Sequence, residues 1–363
     1  MKTFETKIST QRGESRIVAE NGILSQIGEI AAGVVKGRRA VVVTDGNVCN
    51  LHLAPVLASL RAAGFTADQV SVPAGEKSKS VEMLTTLWNC FNGFGITRTD
   101  LIVALGGGVV GDLAGFAAAT YLRGCAIIQV PTSLLAQVDS AIGGKTGIDL
   151  SFGKNLAGAF HQPKVVVIDP LVLKTLPQNR FDEGMAEVVK YGCIYDAALL
   201  AKIEAFAESS RDDDAVLFEI ITRCVQIKVE VVNRDELDTG ERMILNFGHT
   251  IGHAIENVMG YGYISHGEAV AIGMVAAARL GESMGRTPEG TSTRIAKLLE
   301  KLSLPTTTEF TTANIFEAMM SDKKKLSNEI HFILLESIGK AVRVPLSLTE
   351  LRTKLDVVMS SEL

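Results

Sequence analysis

The run Leu101–Leu105 is the segment that most restricts how this chain can fold. Its residues are all apolar, and the glycines Gly106 to Gly108 follow it directly, before an apolar helical segment. A strand without a polar face must be buried on both sides, as in the centre of a parallel α/β sheet. Two helical segments precede it, at residues 51–63 and 80–92. Four further strand-like runs lie before and after it, at residues 40–44, 69–72, 126–130 and 165–168. The alternation predicts a parallel sheet with helices on both faces.

From about Pro170 onward the apolar period changes to 3.6 residues and stays there, which predicts a helical second half. The predicted helices cover residues 180–193, 196–209, 213–236, 246–258, 267–283, 291–302 and 313–321. A short β-hairpin is predicted near the end, from Ile330–Leu335 and Ala341–Val344. We therefore predict an α/β domain over residues 1–172 and a helical domain over residues 173–363.

The composition of the chain limits its partners. Of 363 residues 47% are hydrophobic, the net charge is −5, and no lysine-rich or arginine-rich block stands out. We therefore expect a globular protein that binds neither nucleic acid nor an anionic membrane. The N-terminus is charged, unlike a signal peptide, and the apolar run Leu101–Thr120 carries Asp112 and five glycines, unlike a membrane span. Five scattered cysteines without CxxC spacing fit a reducing compartment, so we expect a cytoplasmic protein.

The glycines after Leu105 predict an anion-binding turn. Backbone N–H groups at the start of a helix can approach a pyrophosphate where no side chain intervenes. The spacing is not GxGxxG, and glycines that merely tighten the turn are the alternative. Asp45 and Asn47 follow one other strand, and the run Gly75–Lys79 follows another. Together these residues predict a nucleotide site at the carboxyl edge of the sheet.

A second glycine-rich segment, Asp139–Gly147, contains Lys145 and is followed by Lys154 and Asn155. Asp139 stands where a Walker sequence needs its first glycine, so the segment is not a P-loop. A lysine among glycines still suits capture of an anion by side chain and backbone together. The alternative is a lysine that is solvated in a loop.

Three of the six histidines lie within one stretch of the chain. His249 and His253 are four residues apart and share one helix face, while His266 begins the next apolar run. These imidazoles can bind a divalent metal, or they can be buried histidines bonded to backbone carbonyls. Glu187 lies in an apolar helical segment, where a carboxylate needs a partner. With two histidines it would complete a three-ligand site of the catalytic zinc kind.

Several basic residues lie in otherwise apolar or helical segments. Lys190 is three residues from Glu187, and Arg242 lies seven residues before His249, on roughly the same face. Lys228 and Arg123 are further examples, and each cation alone is most often a solvated charge. Taken together with a metal site and a nucleotide site, they indicate a small anionic, hydroxyl-bearing substrate.

Five long motifs, in order along nearly the whole chain, resemble those of the 3-dehydroquinate synthases of the shikimate pathway. The matching runs are Gly106–Asp112, Pro131–Ser140, Gly143–Gly147, Glu183–Gly192 and Leu245–Glu256. The resemblance implies a Rossmann-like NAD-binding α/β domain, an all-α metal-binding domain and a site in the cleft between them. It also implies a homodimer, because Arg123 resembles an arginine that reaches into a neighbouring subunit's site.

The resemblance implies a role for each matching residue. The zinc ligands would be Glu187, His249 and His266, with cobalt or another divalent ion as the alternative metal and His253 on the substrate side. The residues that contact NAD would be Asp45, Asn47, Glu76, Lys79, Gly108, Val109, Val110, Gly111, Asp112, Thr132, Ser133, Asp139, Lys145, Lys154, Val172, Leu173, Lys174 and Thr175. The residues that contact the substrate anions would be Lys145, Asn155, Lys190, Lys228, Arg242, Asn246, His253 and Lys340.

The reaction implied by the resemblance converts 3-deoxy-D-arabino-heptulosonate 7-phosphate into 3-dehydroquinate and phosphate. It proceeds by NAD-mediated transient oxidation, phosphate elimination, re-reduction, ring opening and intramolecular aldol cyclisation. Another sugar-phosphate cyclase and a metal-dependent polyol dehydrogenase are the alternatives. The chain departs from the family pattern at Ala141, Asp149 and His161. We expect none of these to touch a predicted ligand, although each can tune the NAD or anion pocket.

Overall fold

The computed structural model describes residues 2–209, 213–259, 263–309, 311–323 and 329–359. The run Met259–Tyr263, before His266, has the glycines and aromatic residues typical of a turn, and its residues 260–262 lie outside the described residues. The chain forms two compact units. The first comprises Met1–Pro177 and Cys224–Leu237, and the second comprises Gln178–Arg223 and Asp238–Leu363. The division at residue 172 made from the sequence stays a prediction.

The first unit contains a seven-stranded sheet and a separate two-stranded hairpin. Its strands are β1 (Thr3–Thr10), β2 (Gly13–Glu20), β3 (Arg39–Asp45), β4 (Thr66–Val72), β5 (Leu101–Gly106), β6 (Ala126–Pro131), β7 (Lys145–Leu150), β8 (Gly153–Phe160) and β9 (Val165–Ile168). The sheet order is β1-β2-β9-β6-β5-β3-β4, and every pair in it is parallel except β1 with β2. The predicted parallel sheet is therefore confirmed, with β5 fully buried near its centre.

The first unit has a hydrophobic core on each face of this sheet. Its helices are α1 (Ile27–Val34), α2 (Gly46–Ala62), α3 (Val81–Gly93) and α4 (Gly108–Thr120). One core joins Leu53 and Leu60 of α2 to Val103 of β5, and the other joins Leu87 of α3 and Leu113 of α4 to the opposite sheet face. Helices thus cover both faces, as continuous apolar strands require.

Two hairpins were not predicted from the sequence. In β1 the outward side chains are charged or polar and most of the strand is exposed or half-buried, so its apolar content was too low to indicate a strand. The β7–β8 hairpin contains the glycine-rich run around Lys145, which has no alternating apolar pattern that would predict a strand. Glycine weakens a strand because it has no side chain to pack, and here tertiary context overrides that weakness.

The carboxyl edge of the sheet has a topological switch point between β3 and β5. From β3 the chain continues outward to β4, whereas β5, β6 and β9 follow on the other side. In open α/β sheets the crevice at such a point is where ligands bind. Asp45 ends β3 and Gly106 ends β5, so the predicted nucleotide-binding residues flank this point.

The second unit is helical, with one β-hairpin. It contains α5 (Gln178–Ile194), α6 (Ala197–Glu208), α8 (His249–Met259), α9 (His266–Ser283), α10 (Thr291–Lys301), α11 (Thr312–Lys323) and α12 (Leu348–Met359), with α7 (Asp214–Arg234) divided between the units. The predicted hairpin is confirmed as β10 (Glu329–Ser337) and β11 (Lys340–Ser347). No helix in the described part of the chain is long and apolar enough to cross a bilayer.

One helix prediction was wrong at its start. Residues Glu241–Asn246 form a separate 3₁₀ turn, and α8 begins at His249 after Gly248, whose φ is 80°. Arg242 is therefore not on the same helix face as His249, contrary to the inference from their spacing. The left-handed glycine ends one element and lets the next begin in a new direction.

Candidate functional site

The turn between β5 and α4 is a narrow backbone cradle. Gly107 is the N-cap of α4, so the first backbone N–H groups of that helix have no intrahelical acceptor. A Cβ at Gly107 would lie 3.3 Å from the Ser133 hydroxyl, and one at Gly108 would lie 3.0 Å from the Ser140 hydroxyl. The Ser140 hydroxyl is buried and has no hydrogen-bond partner among the described residues. Free N–H groups and a buried hydroxyl on a side-chain-free turn suit a bound phosphate.

The predicted nucleotide-binding residues after β3 lie at the other side of the switch point. Asp45 is the N-cap of α2, and its Oδ1 accepts hydrogen bonds from the N–H groups of Asn47 at 2.8 Å and Val48 at 3.0 Å. This cap explains why α2 begins at Gly46 rather than at residue 51. Asn47 itself is exposed.

Lys79 is the centre of a charged cluster beside the cradle. Its side chain is only 4% exposed, and its Nζ lies 2.9 Å from Asp112 Oδ2 on α4 and 3.5 Å from Glu76 Oε1. Burial disfavours the ammonium, but the Asp112 and Glu76 carboxylates outweigh it and raise the pKa of Lys79. Burial also disfavours the charged form of Asp112 and therefore raises its pKa, and the Lys79 charge offsets part of this increase. The cluster joins residues from two predicted nucleotide-binding segments.

Asp149 ties the β7–β8 hairpin to this cluster by contacts with Asn155 and Lys79, two residues predicted to bind substrate or NAD. Its Oδ1 accepts the Asn155 N–H at 2.8 Å, and its own N–H donates to the Lys79 carbonyl at 2.9 Å. Asn155 has a φ of 56°, and its Oδ1 accepts a hydrogen bond from Lys79. Such a backbone conformation is sparsely populated and persists where neighbouring bonds fix it. The other departures behave differently: Ala141 is buried, and His161 bonds the Cys125 carbonyl through its Nε2 at 2.9 Å.

The remaining predicted residues of the first unit lie around the same sheet edge or on the hairpin. Asp139 forms an ion pair with the buried Lys228 at 2.7 Å. Thr132 follows β6 and donates its N–H to the Gly106 carbonyl at 3.0 Å. Lys145 is exposed on β7, and Lys154 is half-buried on β8. The turn that contains Val172, Leu173, Lys174 and Thr175 is a 3₁₀ helix, Pro170–Thr175.

That turn has a partner that the sequence did not indicate. His52 of α2 is buried, and its Nε2 lies 2.8 Å from Thr175 Oγ1. Thr175 Oγ1 donates its own hydrogen to the Val172 carbonyl at 2.8 Å, so it accepts from the histidine. Burial lowers the pKa of His52. A lone histidine on a helix carries no spacing signal, so nothing in the sequence could have assigned this contact.

Glu187, His249 and His266 converge within the second unit. They come from α5, α8 and the first residue of α9, and their ligand atoms lie within 4.8 Å of one another. Glu187 Oε1 lies 3.4 Å from His249 Nε2 and 3.5 Å from His266 Nε2. Two ligands bonded to one tetrahedral zinc at normal bond lengths are about 3.3 Å apart. The three side chains are therefore spaced as ligands of a common ion would be.

The Glu187 carboxylate is a buried anion with an ion pair but without a normal hydrogen bond among the described residues. It is 1% exposed, and neither oxygen accepts a hydrogen bond of normal geometry from a described residue, although the Lys190 ammonium forms an ion pair with it. Burial opposes its ionisation, but nearby positive charge, chiefly that of Lys190, outweighs that effect and holds the pKa of Glu187 well below its ordinary value. A buried, ionised and unsatisfied carboxylate beside two imidazoles fits a divalent metal.

The two imidazoles have opposite electrostatic environments. Burial and the Lys190 charge lower the pKa of His249. Burial also acts against a charged His266, but the Glu187 and Glu256 carboxylates outweigh it and raise the pKa of His266 to about 10. Only a neutral imidazole can bind a metal, so the surroundings of His249 favour the form that a ligand needs, whereas His266 would have to release a proton in order to serve as a ligand.

Small residues let α8 and α9 approach closely enough to bring the histidines together. A Cβ at Gly273 of α9 would overlap the carbonyl oxygen of Gly248, and one at Gly267 would overlap the carbonyl oxygen of Glu183 on α5. A capping box between Ser265 and Glu268 fixes the start of α9 at His266. The chain thus positions its predicted ligands by backbone contacts between three helices.

The predicted substrate-binding residues of the second unit differ in burial. Lys190 and Arg242 are buried, at 1% and 2% exposure, while Asn246 and His253 are exposed. The His253 ring lies 5.4 Å from the His249 ring and 5.9 Å from the His266 ring, centre to centre. Lys340 begins β11, is 70% exposed and pairs with Glu336. In the first unit, Arg123 is exposed in the turn Tyr121–Arg123 with a φ of 65°.

Comparison with known proteins identifies the class first. Among solved structures, the chain is similar to 2-epi-5-epi-valiolone synthase from Streptomyces hygroscopicus with bound NAD+ and Zn2+: TM-score 0.86, 26% identity, covering 94% of this chain and 96% of that one. It is also similar to 2-deoxy-scyllo-inosose synthase complexed with carbaglucose-6-phosphate, NAD+ and Co2+: TM-score 0.84, 26% identity, covering 98% and 99%. The fold is thus that of the sugar-phosphate cyclases.

Sequence comparison then gives the family. The family model for the 3-dehydroquinate synthase N-terminal part matches residues 69–183, and the model for the C-terminal part matches residues 184–325. The 3-dehydroquinate synthase of Enterococcus faecalis is 46% identical over 341 residues, which cover 94% of this chain and 95% of that protein. The chain belongs to the 3-dehydroquinate synthase family.

Proposed function

We propose that this protein is an enzyme that converts 3-deoxy-D-arabino-heptulosonate 7-phosphate into 3-dehydroquinate and phosphate. Family membership and 46% identity to a 3-dehydroquinate synthase over most of both chains support this activity. The observation that carries the proposal is the convergence of Glu187, His249 and His266 around an unsatisfied buried carboxylate. The first unit adds a backbone turn without side chains at the switch point of its sheet, where free N–H groups can bind a phosphate.

We propose that zinc binds to Glu187, His249 and His266, and that NAD binds at the cradle of the first unit. The solved relatives named above contain NAD+ with Zn2+ or Co2+, so cobalt is the alternative metal. When bound, NAD supplies a transient oxidation and the metal polarises the hydroxyl and carbonyl oxygens of the substrate. The backbone N–H groups that follow Gly107 hold the pyrophosphate, while Asp45 and the Lys79 cluster flank it.

We further propose that basic and amide side chains bind and orient the substrate anions. We assign this role to Lys145, Asn155, Lys190, Lys228, Arg242, Asn246, His253 and Lys340. Buried ammonium and guanidinium groups such as Lys190 and Arg242 are held in one position by their surroundings, so they bind a carboxylate or phosphate without losing much side-chain freedom. A substrate held in one conformer undergoes elimination and ring closure faster, since proximity replaces random encounter.

We further propose a cytoplasmic homodimer in which Arg123 reaches a neighbouring subunit. Two consecutive non-glycine residues, Leu122 and Arg123, have positive φ, and both side chains are exposed. Strained backbone of this kind persists where it has a function. The composition and the absence of CxxC spacing support the cytoplasm.

The test of the proposed function is phosphate release. The protein is incubated with the heptulosonate phosphate and trace NAD, with and without a chelator, and both phosphate and NADH are measured. We expect many phosphates per NAD, no net NADH, and loss of turnover with the chelator. Absence of phosphate release would contradict the proposal, and NADH that accumulates in step with turnover would indicate a polyol dehydrogenase instead.

A further inference from the structure

The imidazole of His266 lies between two carboxylates. Its Nε2 is 3.5 Å from Glu187 Oε1, and its Nδ1 is 3.3 Å from Glu256 Oε2. Two groups of possible ligands share this ring: Glu187 with His249, and Glu256 with His253. A neutral imidazole has one lone pair and one N–H, so one nitrogen can bind a metal while the other donates a hydrogen bond.

His249 shows which nitrogen faces the ion. Its Nδ1 lies 3.1 Å from the backbone carbonyl of Phe247, which can only accept, so Nδ1 carries the hydrogen. The lone pair of His249 is therefore on Nε2, the atom that faces Glu187. Because His266 also presents Nε2 to the same Glu187 oxygen, its Nδ1–H is the group that faces Glu256.

Glu256 is built to accept that hydrogen bond. It is 5% exposed and lies on α8 seven residues after His249, two helical turns along the same face. The capping box fixes the backbone of His266 at the start of α9, but it leaves the ring free to rotate. A carboxylate at Nδ1 removes that freedom and makes Nε2 a stronger donor to a metal.

We propose that Glu256 is a positioning residue of the metal centre: it accepts the Nδ1–H of His266, directs Nε2 toward the ion, and is not itself a ligand. The inference rests on the proposed metal site formed by Glu187, His249 and His266. We assign no metal ion to the second group of possible ligands, which His253, Glu256 and His266 form. His249 uses a neutral backbone carbonyl for the same purpose, so His266 is the imidazole with the charged support.

The experiment compares zinc affinity and cobalt spectra of the metal-free full-length protein and three variants. We expect Glu256→Ala to weaken zinc binding by about 10–100-fold, measured by competition with a chelator. Glu256→Gln keeps an acceptor for Nδ1–H and should recover most of that loss. The control is Glu282→Gln, another carboxylate of the second unit, which accepts from the Ser292 N–H and hydroxyl and should leave zinc affinity unchanged.

The Co2+ absorption spectrum separates positioning from ligation, since band position and intensity report the number and geometry of ligands. We expect Glu256→Gln to keep the wild-type bands. Wild-type zinc affinity in Glu256→Ala would overturn the proposal, and so would Co2+ bands in Glu256→Gln that indicate a lost ligand. Failure of the wild-type protein to bind zinc would instead contradict the proposed function, so the two failures are distinguishable.

Discussion

Two buried carboxylates, Asp100 in the first unit and Glu187 in the second, have opposite surroundings. Asp100 is 4% exposed and accepts hydrogen bonds from the Thr97 N–H at 2.9 Å, the Thr97 hydroxyl at 2.7 Å and the Arg39 N–H at 3.1 Å. Glu187 is 1% exposed, yet cations and imidazoles surround it without a hydrogen bond of normal geometry from any described residue. The first carboxylate is satisfied by hydrogen bonds within its own fold, and the second is the one for which we propose a metal ion.

The difference separates a charge that the fold satisfies from a charge for which we propose a metal ion. Burial acts to raise the pKa of both groups, and in both it is outweighed, so a lowered pKa alone does not distinguish them. The two carboxylates are distinguished by the groups that outweigh burial and lower each pKa. Neutral N–H and hydroxyl donors fasten Asp100 between the starts of β3 and β5, while the charges around Glu187 leave its lone pairs available to a metal.

The largest effect should follow from Glu187→Gln. A neutral amide is a poor ligand, so we expect turnover to fall by at least about a thousandfold, some 4 kcal/mol of transition-state stabilisation. Phosphate release measures this, and a titration with NAD should show nearly unchanged affinity. The control is His331→Asn, an exposed histidine on β10 of the same unit. Turnover close to wild type in Glu187→Gln would remove the distinction between the two carboxylates.

Gly273→Ala tests whether close packing of α8 against α9 positions the proposed metal ligands beside Glu187. The new Cβ would overlap the Gly248 carbonyl, so we expect a loss of about 3 kcal/mol in the free energy of unfolding, with weaker zinc binding. Urea denaturation of the metal-free protein and a zinc titration measure the two effects. Gly33→Ala on α1, where nothing lies within 4 Å, should instead stabilise the protein by about 0.5–1 kcal/mol. Unchanged zinc affinity in Gly273→Ala would show that close packing at this point is not needed.

Whereas Glu187→Gln should impair the metal site, Asp100→Asn should lower the stability of the protein and leave the metal site intact. Its amide group would face the donors of Thr97 and Arg39, so we expect a loss of about 2 kcal/mol in the free energy of unfolding. Zinc affinity should stay at the wild-type value. Thr97→Val removes one donor and should cost about 1 kcal/mol. The comparison fails if Asp100→Asn weakens zinc binding while its stability is unchanged.

The smallest effect is the acid dependence of that stability difference. Burial opposes ionisation of Asp100, but its hydrogen bonds to Thr97 and the Arg39 backbone outweigh burial and lower the pKa. A lowered carboxyl pKa contributes stability that is present above the ordinary value near 4 and is lost as the pH falls through the folded value. The gap between wild type and Asp100→Asn should therefore narrow below about pH 4. A gap that widens on acidification would contradict the assigned cause.

The sequence was most informative about features that depend on residues adjacent in the chain. The apolar run at Leu101–Leu105 and the glycines after it predicted a buried parallel strand and a backbone cradle, because period and glycine content act locally. The hairpins β1–β2 and β7–β8 were missed, since charge alternation and glycines hide a strand whose stability comes from its partner. Asp149 was expected to tune the NAD or anion pocket, but its bond to Asn155 depends on a hairpin that the sequence did not show.

The histidine stretch shows where sequence stops and tertiary structure begins. Spacing by itself determined that His249 and His253 share a helix face, because a helix repeats every 3.6 residues. The resemblance, not the spacing, put His266 with Glu187. Only the packing of α5, α8 and α9 decides that Nε2 of His249 and Nε2 of His266 face one buried carboxylate, and that Glu256 lies behind the second ring. Those distances join residues far apart in the chain, and they depend on backbone contacts such as Gly273 against Gly248, which no local pattern encodes.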